Sequence, residues 1–401
     1  MRYMLAMMFI SLTVSAADWP QWRGPNRDGS SSETGLLTAW PAGGPRVLWK
    51  TTGFGRGWSS LAIAGGRVYT QGQRGDYQYV FAFDAQTGKK LWETPTTNRY
   101  DREGAHEGPR GTPTVDGARL YAMAVDGTLA CLDAATGKII WSQNVVQKYG
   151  GSVIGWGISE SPLVDGDRVI VTPGGPGASV VSLNKLNGEL QWKSGSDEAG
   201  YASAIVAEVG GVRQVLTLTG KAAVCLKEDT GEMLWRYTKV SEREINIPTP
   251  LYHDGHVFVS TRGHGCALLK LEPRTMSEVY FNRDLKSHYS AAVLVGDVLY
   301  GYSNSILTAM EFKTGKVFWR QRTPGLGSVI YADKHLYALG EDGVMSLVEA
   351  TPQAHKEVSR FDVDIGPRPS FCPFFALPAI SDGKLYVRVW DNLICYDIKA
   401  R

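Results

Sequence analysis

One short pattern recurs along this chain and limits its possible folds more than any other feature. It reads DAQTGKKLW at 84–92, DAATGKIIW at 133–141, NKLNGELQW at 184–192, KEDTGEMLW at 227–235 and EFKTGKVFW at 311–319. In every copy a Gly is followed four residues later by a Trp. Upstream of each lies a second element, such as TPTVDGARLYAMA or SPLVDGDRVIVTP. Its apolar residues alternate, which is the period of a strand. Its central Asp-Gly pair is a hairpin turn signal. Counting this hairpin gives eight copies, anchored at Tyr69, Tyr121, Ile170, Val215, Phe258, Leu299, Tyr337 and Tyr386 and spaced 38 to 52 residues apart. A period of that size with four short strands per unit predicts a β-propeller.

The eighth unit stops at LICYDIKAR, where a Thr-Gly turn and a Trp strand should follow. The matching strand stands at the other end, as RVLWKT around Trp49. The expectation is therefore an all-β, eight-bladed propeller of four-stranded blades, closed by the N-terminal strand joining the last blade. Such closure removes exposed sheet edges around the ring. Blades five and seven carry EPRTMSEVYF and ATPQAHKEVSRF in place of a clean Gly-to-Trp element and are expected to be irregular.

A Trp on an outer strand can lie flat against the next blade only where a Gly leaves room, and its indole N–H then needs an acceptor. The docking pairs are Gly88 with Trp92, Gly137 with Trp141, Gly188 with Trp192, Gly231 with Trp235 and Gly315 with Trp319, and Trp49 serves the closing blade. A small residue stands six positions before the Gly, at Ala82 and Ala309. Cys131, Cys225 and Cys395 fall at that small position in their own blades and read as buried core residues. This Ala, Gly, Trp spacing resembles the tryptophan-docking repeat of the PQQ-like, quinoprotein-type propeller family. That family includes the PQQ-dependent alcohol dehydrogenases and the outer-membrane assembly propeller BamB. The resemblance covers residues 46–401.

The resemblance implies an architecture but not one activity. Its dehydrogenases hold PQQ between a Trp and a disulfide of adjacent cysteines, with calcium on Glu, Asn and Asp and an Asp as base. No adjacent Cys pair occurs among the five cysteines here, and no acid and amide set matches theirs. The expectation is an exported, non-catalytic scaffold for protein or peptide partners in the cell envelope, without a cofactor. The alternatives are a PQQ-dependent oxidoreductase with calcium, and a small-ligand or sugar-binding propeller.

Net charge is +2, from 42 basic and 40 acidic residues, and no basic cluster suggests nucleic acid. Residues 1–17 read as a signal peptide: Arg2, a short apolar run, then Ser15-Ala16-Ala17. That run is shorter than the ~20 residues a membrane span needs. No Cys lies near the cleavage point, so a periplasmic or secreted protein without a lipid anchor is expected. Residues 18–45, opening DWPQWRGPNRDG, read as a strap pinned onto the propeller, with plugging of the channel as an alternative. The two histidines of HDGH at 253–256 fall short of the three or four ligands zinc requires.

Any site is expected where each innermost strand begins, at the central channel. Aligning the hairpins places Ser60, Thr112, Ser161, Ser203, Thr249, Ser290, Ser328 and Leu377 at one position. Seven hydroxyls in eight blades suit local backbone bonding or a polar pore. Two residues earlier stand Trp58, Arg110, Ser159, Tyr201, Ile247, His288, Leu326 and Phe375, with Glu160 and Tyr289 alongside. These differ between blades, so the shared fold does not dictate them. Trp58, Arg110, Glu160, Tyr201, His288 and Tyr289 are the candidate ligand-binding residues, an aromatic wall with an acid, a base and a cation. The charged loop at 98–111 and the Phe-rich segment at 366–378 are further candidates, as lid or surface and as channel cover.

Overall fold

The computed structural model describes residues 18–101, 108–241, 245–367 and 372–401. The sequence-predicted signal peptide therefore lies outside the described residues, as do parts of the loop at 98–111 and of the segment at 366–378. Eight four-stranded sheets form a ring, seven of them running outward from the axis in chain order. The first blade consists of Ala62–Ala64, Arg67–Arg74, Tyr77–Asp84 and Lys90–Asn98. The eighth consists of Ala379–Ser381, Lys384–Val389 and Asn392–Asp397, with Arg46–Thr51 as its outer strand. Arg46 pairs with Asp397 and Thr51 with Leu393, antiparallel, so the two ends of the chain close the ring.

The recurring DxxTG stretch is a turn. The Asp84 carboxylate accepts hydrogen bonds from the backbone N–H of Gln86 and Thr87 and from the Thr87 hydroxyl, at 2.8–3.1 Å. These bonds, led by the Thr87 hydroxyl, hold its pKa below the ordinary value. Asp133 repeats the arrangement with Ala135 and Thr136. The turn ends on Gly88 at φ 69°, and a Cβ there would come within 2.5 Å of the Trp49 ring. Gly88 thus serves two needs: a left-handed backbone and a flat seat for the neighbouring indole.

The docking Trp stands across from the small residue and the anchor, in the register Tyr69, Ala82, Trp92. Cys131 opposes Trp141, Cys225 opposes Trp235 and Cys395 opposes Trp49. All three thiols are fully buried, and neither they nor Cys266 form a disulfide. A register shift lies just before the docking position on the outer strand of every blade. Such a bulge bends the strand and re-aims its side chain, here toward the next blade. The indole of Trp92 and the hydroxyl of Tyr69 both donate to the Ala134 carbonyl, at 3.2 and 3.0 Å. Trp141 with Tyr121 repeats this at Lys185, and Trp49 with Tyr386 at Ala85.

Blades five and seven are regular sheets, with outer strands Met276–Asn282 and Glu357–Asp362. Their irregularity is confined to docking. In blade five Tyr280 takes the Trp position, lies against Gly315 and donates to the Phe312 carbonyl at 3.0 Å. In blade seven that register position is Ser359. The missing indole comes from the strap: the Trp40 backbone N–H donates to the Ser359 hydroxyl at 2.8 Å. Its ring lies 5.6 Å from both Tyr337 and Phe361, close to the 6.0 Å between Tyr69 and Trp92.

The strap crosses one face of the ring. Trp19 bridges Ile63 in blade one, and Val115 of blade two donates to the Pro20 carbonyl. The buried Arg23 donates to the carbonyls of Ala291 and Ala292 in blade six, and Arg27 to those of Ser161 and Pro162 in blade three. Gly29 and Ser31 exchange bonds with Tyr331 in blade seven, and Leu37 donates to Ile398 beside blade eight. Trp19, Leu36, Trp40 and Trp49 join one hydrophobic cluster with blades seven, eight and one. The seam of closure is therefore also where the strap is anchored.

Candidate functional site

The seven hydroxyls are all buried, and three of them reach sideways. The Thr112 N–H donates to the Ser161 hydroxyl, the Ser161 N–H to Ser203 and the Leu377 N–H to Ser60, at 2.7–2.9 Å. They stitch inner strands of successive blades together, which is a longer reach than bonding within one strand start. Thr249 accepts the indole N–H of Trp22 at 2.8 Å. The strap thereby places Trp22 at the axis.

Beside this hydroxyl ring lies a cavity of about 210 Å³. Its wall combines Trp22 of the strap with residues of seven blades: Trp58, Arg110, Trp156, Tyr201, His288 and Phe375 among them. Of the six sequence candidates, Trp58, Arg110, Tyr201, His288 and Tyr289 line it. Two aromatic arcs form the sides. One runs through Trp58, Phe375, Tyr289 and His288, with centroid separations of 5.2, 4.7 and 5.9 Å. The other is Trp156 with Tyr201, 5.4 Å apart, the Tyr201 hydroxyl accepting the Trp156 N–H at 3.1 Å.

Glu160 is placed elsewhere. Successive residues of an extended segment point to opposite sides, so the neighbour of Ser159 and Ser161 turns away from the cavity. Its buried carboxylate accepts the Thr172 N–H at 2.6 Å and the Thr172 hydroxyl at 2.7 Å. Desolvation pushes its pKa up to about 7, against those bonds and the nearby Arg27. The sequence candidate thus joins the strap's anchorage.

Burial also shapes the cavity's electrostatics. It draws the Arg110 pKa down to about 10, which leaves a guanidinium cation at neutral pH. Desolvation and the Arg262 charge bring His288 down to about 4, so its imidazole is neutral. Neither His288 nitrogen, nor the Tyr289 hydroxyl, has a hydrogen-bond partner among the described residues. No carboxylate lines the cavity among the described residues, so His288 has no acid to orient it as a catalytic base. The arrangement can stack a flat group and hydrogen-bond its edge.

Two wall residues were missed as site residues in the sequence. Trp22 belongs to the strap, and nothing local says where a strap ends. Trp156 sits between Gly155 and Gly157 in the segment before Ser159; a large aromatic flanked by glycines was the available signal. The His256 Nδ1 lies 2.7 Å from the Asp254 carbonyl and 3.1 Å from Lys313 Nζ. No cluster of three metal-ligating side chains occurs among the described residues.

The PQQ and calcium that the family resemblance implies do not fit this lining. The Glu, Asn and Asp set has no counterpart among the described lining residues. The volume falls below the ~300 Å³ at which pockets for drug-sized ligands begin.

A family model described as "Outer membrane protein assembly factor BamB" matches residues 29–101 and 76–321. No curated protein sequence matches the chain. BamB from Moraxella catarrhalis is similar in structure at 16% identity and a TM-score of 0.65, covering 89% of this chain and 98% of that one. A quinohemoprotein alcohol dehydrogenase from Comamonas testosteroni reaches a TM-score of 0.72 at 14% identity, covering 96% and 81%. The computationally designed Ika8 protein reaches 0.62 at 11% identity, covering 88% and 100%. At such identities the likeness is one of fold.

Proposed function

This chain belongs to the BamB-like family of PQQ-like propellers, and from that premise we propose that it is a non-catalytic binding propeller. The ring and its strap act as a rigid scaffold for partners in the cell envelope, and the axial cup holds the group they present. One observation carries this reading: the repeated residues are spent on docking, while the residues that differ between blades converge on one cavity with aromatic sides. Fold alone does not decide activity; the cup's chemistry does. Stacking surfaces, one cation and a neutral imidazole are groups for holding a ligand. An acid–base relay or a calcium cage needs carboxylates. An exported location accords with the apolar leader read in the sequence, and no described helix is long and apolar enough to cross a membrane.

The test separates binding from turnover. Purified chain starting at Asp18 is titrated calorimetrically with PQQ plus calcium, and dye-linked alcohol oxidation is measured in parallel. The expected result is neither a saturable heat nor dye reduction above the blank. In ligand-observed NMR, small ring compounds should bind and compete for one site, and Trp58→Ala should remove them. A saturable PQQ site that supports dye reduction would overturn the reading.

A further inference from the structure

We propose that the axial cup binds a neutral, polyhydroxylated ring, a single saccharide unit, stacked between its two aromatic arcs. The inference rests on the cup being the binding site and names what it takes. Size comes first: at about 210 Å³ the cup lies below the ~300 Å³ at which pockets for drug-sized ligands begin, which suits one ring. Shape comes second. The Trp58–Phe375 and Trp156–Tyr201 pairs offer flat apolar surfaces, and a pyranose presents apolar C–H faces with a polar rim.

The polar groups are of the kind that such a rim needs. A sugar hydroxyl both donates and accepts, so it pairs best with groups that do the same. Ser161 and Ser203 line the cup, and each accepts a backbone N–H. With those oxygens accepting, the hydroxyl protons of Ser161 and Ser203 can turn toward a ligand. His288, neutral, brings one donor and one acceptor, and Tyr289 brings a hydroxyl. All three of these atoms are buried and unpartnered among the described residues, a state that costs free energy. The Phe375 ring packs 4.7 Å from that of Tyr289. A ring stacked on that wall with a hydroxyl against His288 and Tyr289 removes that cost.

Charge narrows the class further. No carboxylate lines the cup among the described residues, so an ammonium ligand, the usual cation–π guest, finds no counter-charge in its wall. A neutral ligand also enters without desolvating a charge of its own.

The probes are free glucose, galactose and N-acetylglucosamine, their β-linked disaccharides, and benzoate and indole as flat non-sugar controls. Each is titrated by saturation-transfer NMR and tryptophan fluorescence against the chain from Asp18. At least one saccharide should bind saturably and quench fluorescence. Preference between monosaccharide and disaccharide tells a free sugar from a glycan end. Trp58→Ala and, on the opposite arc, Trp156→Ala should each weaken binding about tenfold or more, as expected for losing one aromatic wall. Phe318→Ala, on the exposed outer strand of blade six, should leave it unchanged, and a cooperative melting transition above the assay temperature in all three variants shows that they fold. If benzoate or indole occupies the cup while every saccharide fails, the saccharide inference is overturned and the cup remains a binding site. If no probe of any kind binds, the binding-site reading falls as well.

Discussion

Trp40 gives the sharpest test of how this ring is held shut. Blade seven has no docking Trp of its own, and the strap's Trp40 fills that place against Tyr337 and Phe361. Its side chain is 7% exposed. A buried indole removes roughly 150–250 Å² from water, which at ~25 cal/mol per Å² is about 4–6 kcal/mol as an upper bound. Measured losses for Trp→Ala in cores run about 3–5 kcal/mol, so Trp40→Ala should cost that much. Trp40→Phe should cost only about 1 kcal/mol, because the Trp40 indole N–H has no partner among the described residues. At Trp92 the same change also loses the bond to the Ala134 carbonyl, roughly 1 kcal/mol more. Urea unfolding gives the free energies, and hydrogen exchange gives the place. Protection should fall first in Glu357–Asp362 and Asn392–Asp397, the strands flanking the joint. A Trp40→Ala protein within about 1 kcal/mol of wild type, or one that loses stability without losing protection there, would refute the substitution argument.

Other outcomes follow from buried charge. Glu160 titrates near 7 when folded, against an ordinary 4.5; a raised acid favours the folded state at low pH. Its contribution is full below about 4.5 and is lost as pH rises to about 7, about 3 kcal/mol at 1.36 kcal/mol per unit. Glu160→Gln should flatten a stability–pH curve across that window. Arg388, fully buried, ties blade eight to blade one by donating to the Ser59 carbonyl, to Thr70 Oγ1 and to the Gln71 carbonyl. Arg388→Leu leaves those acceptors unpaired and should cost about 3 kcal/mol or more in urea unfolding. Burial pushes the thiols of Cys131 and Cys395 up to about 11 and 12 and raises Cys225 and Cys266 as well. A thiol reagent at pH 8 should therefore modify at most Cys372 in the native protein and all five cysteines in denaturant. Trp22→Ala removes the strap's wall from the cup, and should lower ligand affinity about tenfold without abolishing folding, read by titration and melting.

The repeat alone determined the ring. A Gly four residues before a Trp is a local signature, because turn geometry and a flat seat act within a few residues. Eight hairpins therefore counted eight blades, and the unpaired RVLWKT segment found its partner in LICYDI by elimination. The buried role of Cys131, Cys225 and Cys395 was legible for the same reason: their position in the repeat is fixed.

What joins distant segments was decided only in three dimensions. Blade seven looked defective because its docking ring arrives from Trp40, more than three hundred residues earlier in the chain, and no spacing rule links the two. The hydroxyls were visible as a column, but three of them, Ser60, Ser161 and Ser203, find their partners in a neighbouring blade, across a register that only ring closure sets. Four of the six candidates, Trp58, Arg110, Tyr201 and His288, share one position before their inner strands and line one cavity, and Tyr289, one residue on, lines it too. Glu160 holds in blade three the place Tyr289 holds in blade six, but its carboxylate is taken up by Thr172 instead. Trp22 completes the cup because a strap with buried arginines crosses the face of the ring. Local periodicity states which way a side chain points within its own blade. Where the blades and the strap meet is set by packing between residues far apart in sequence, and the site lies at that meeting place.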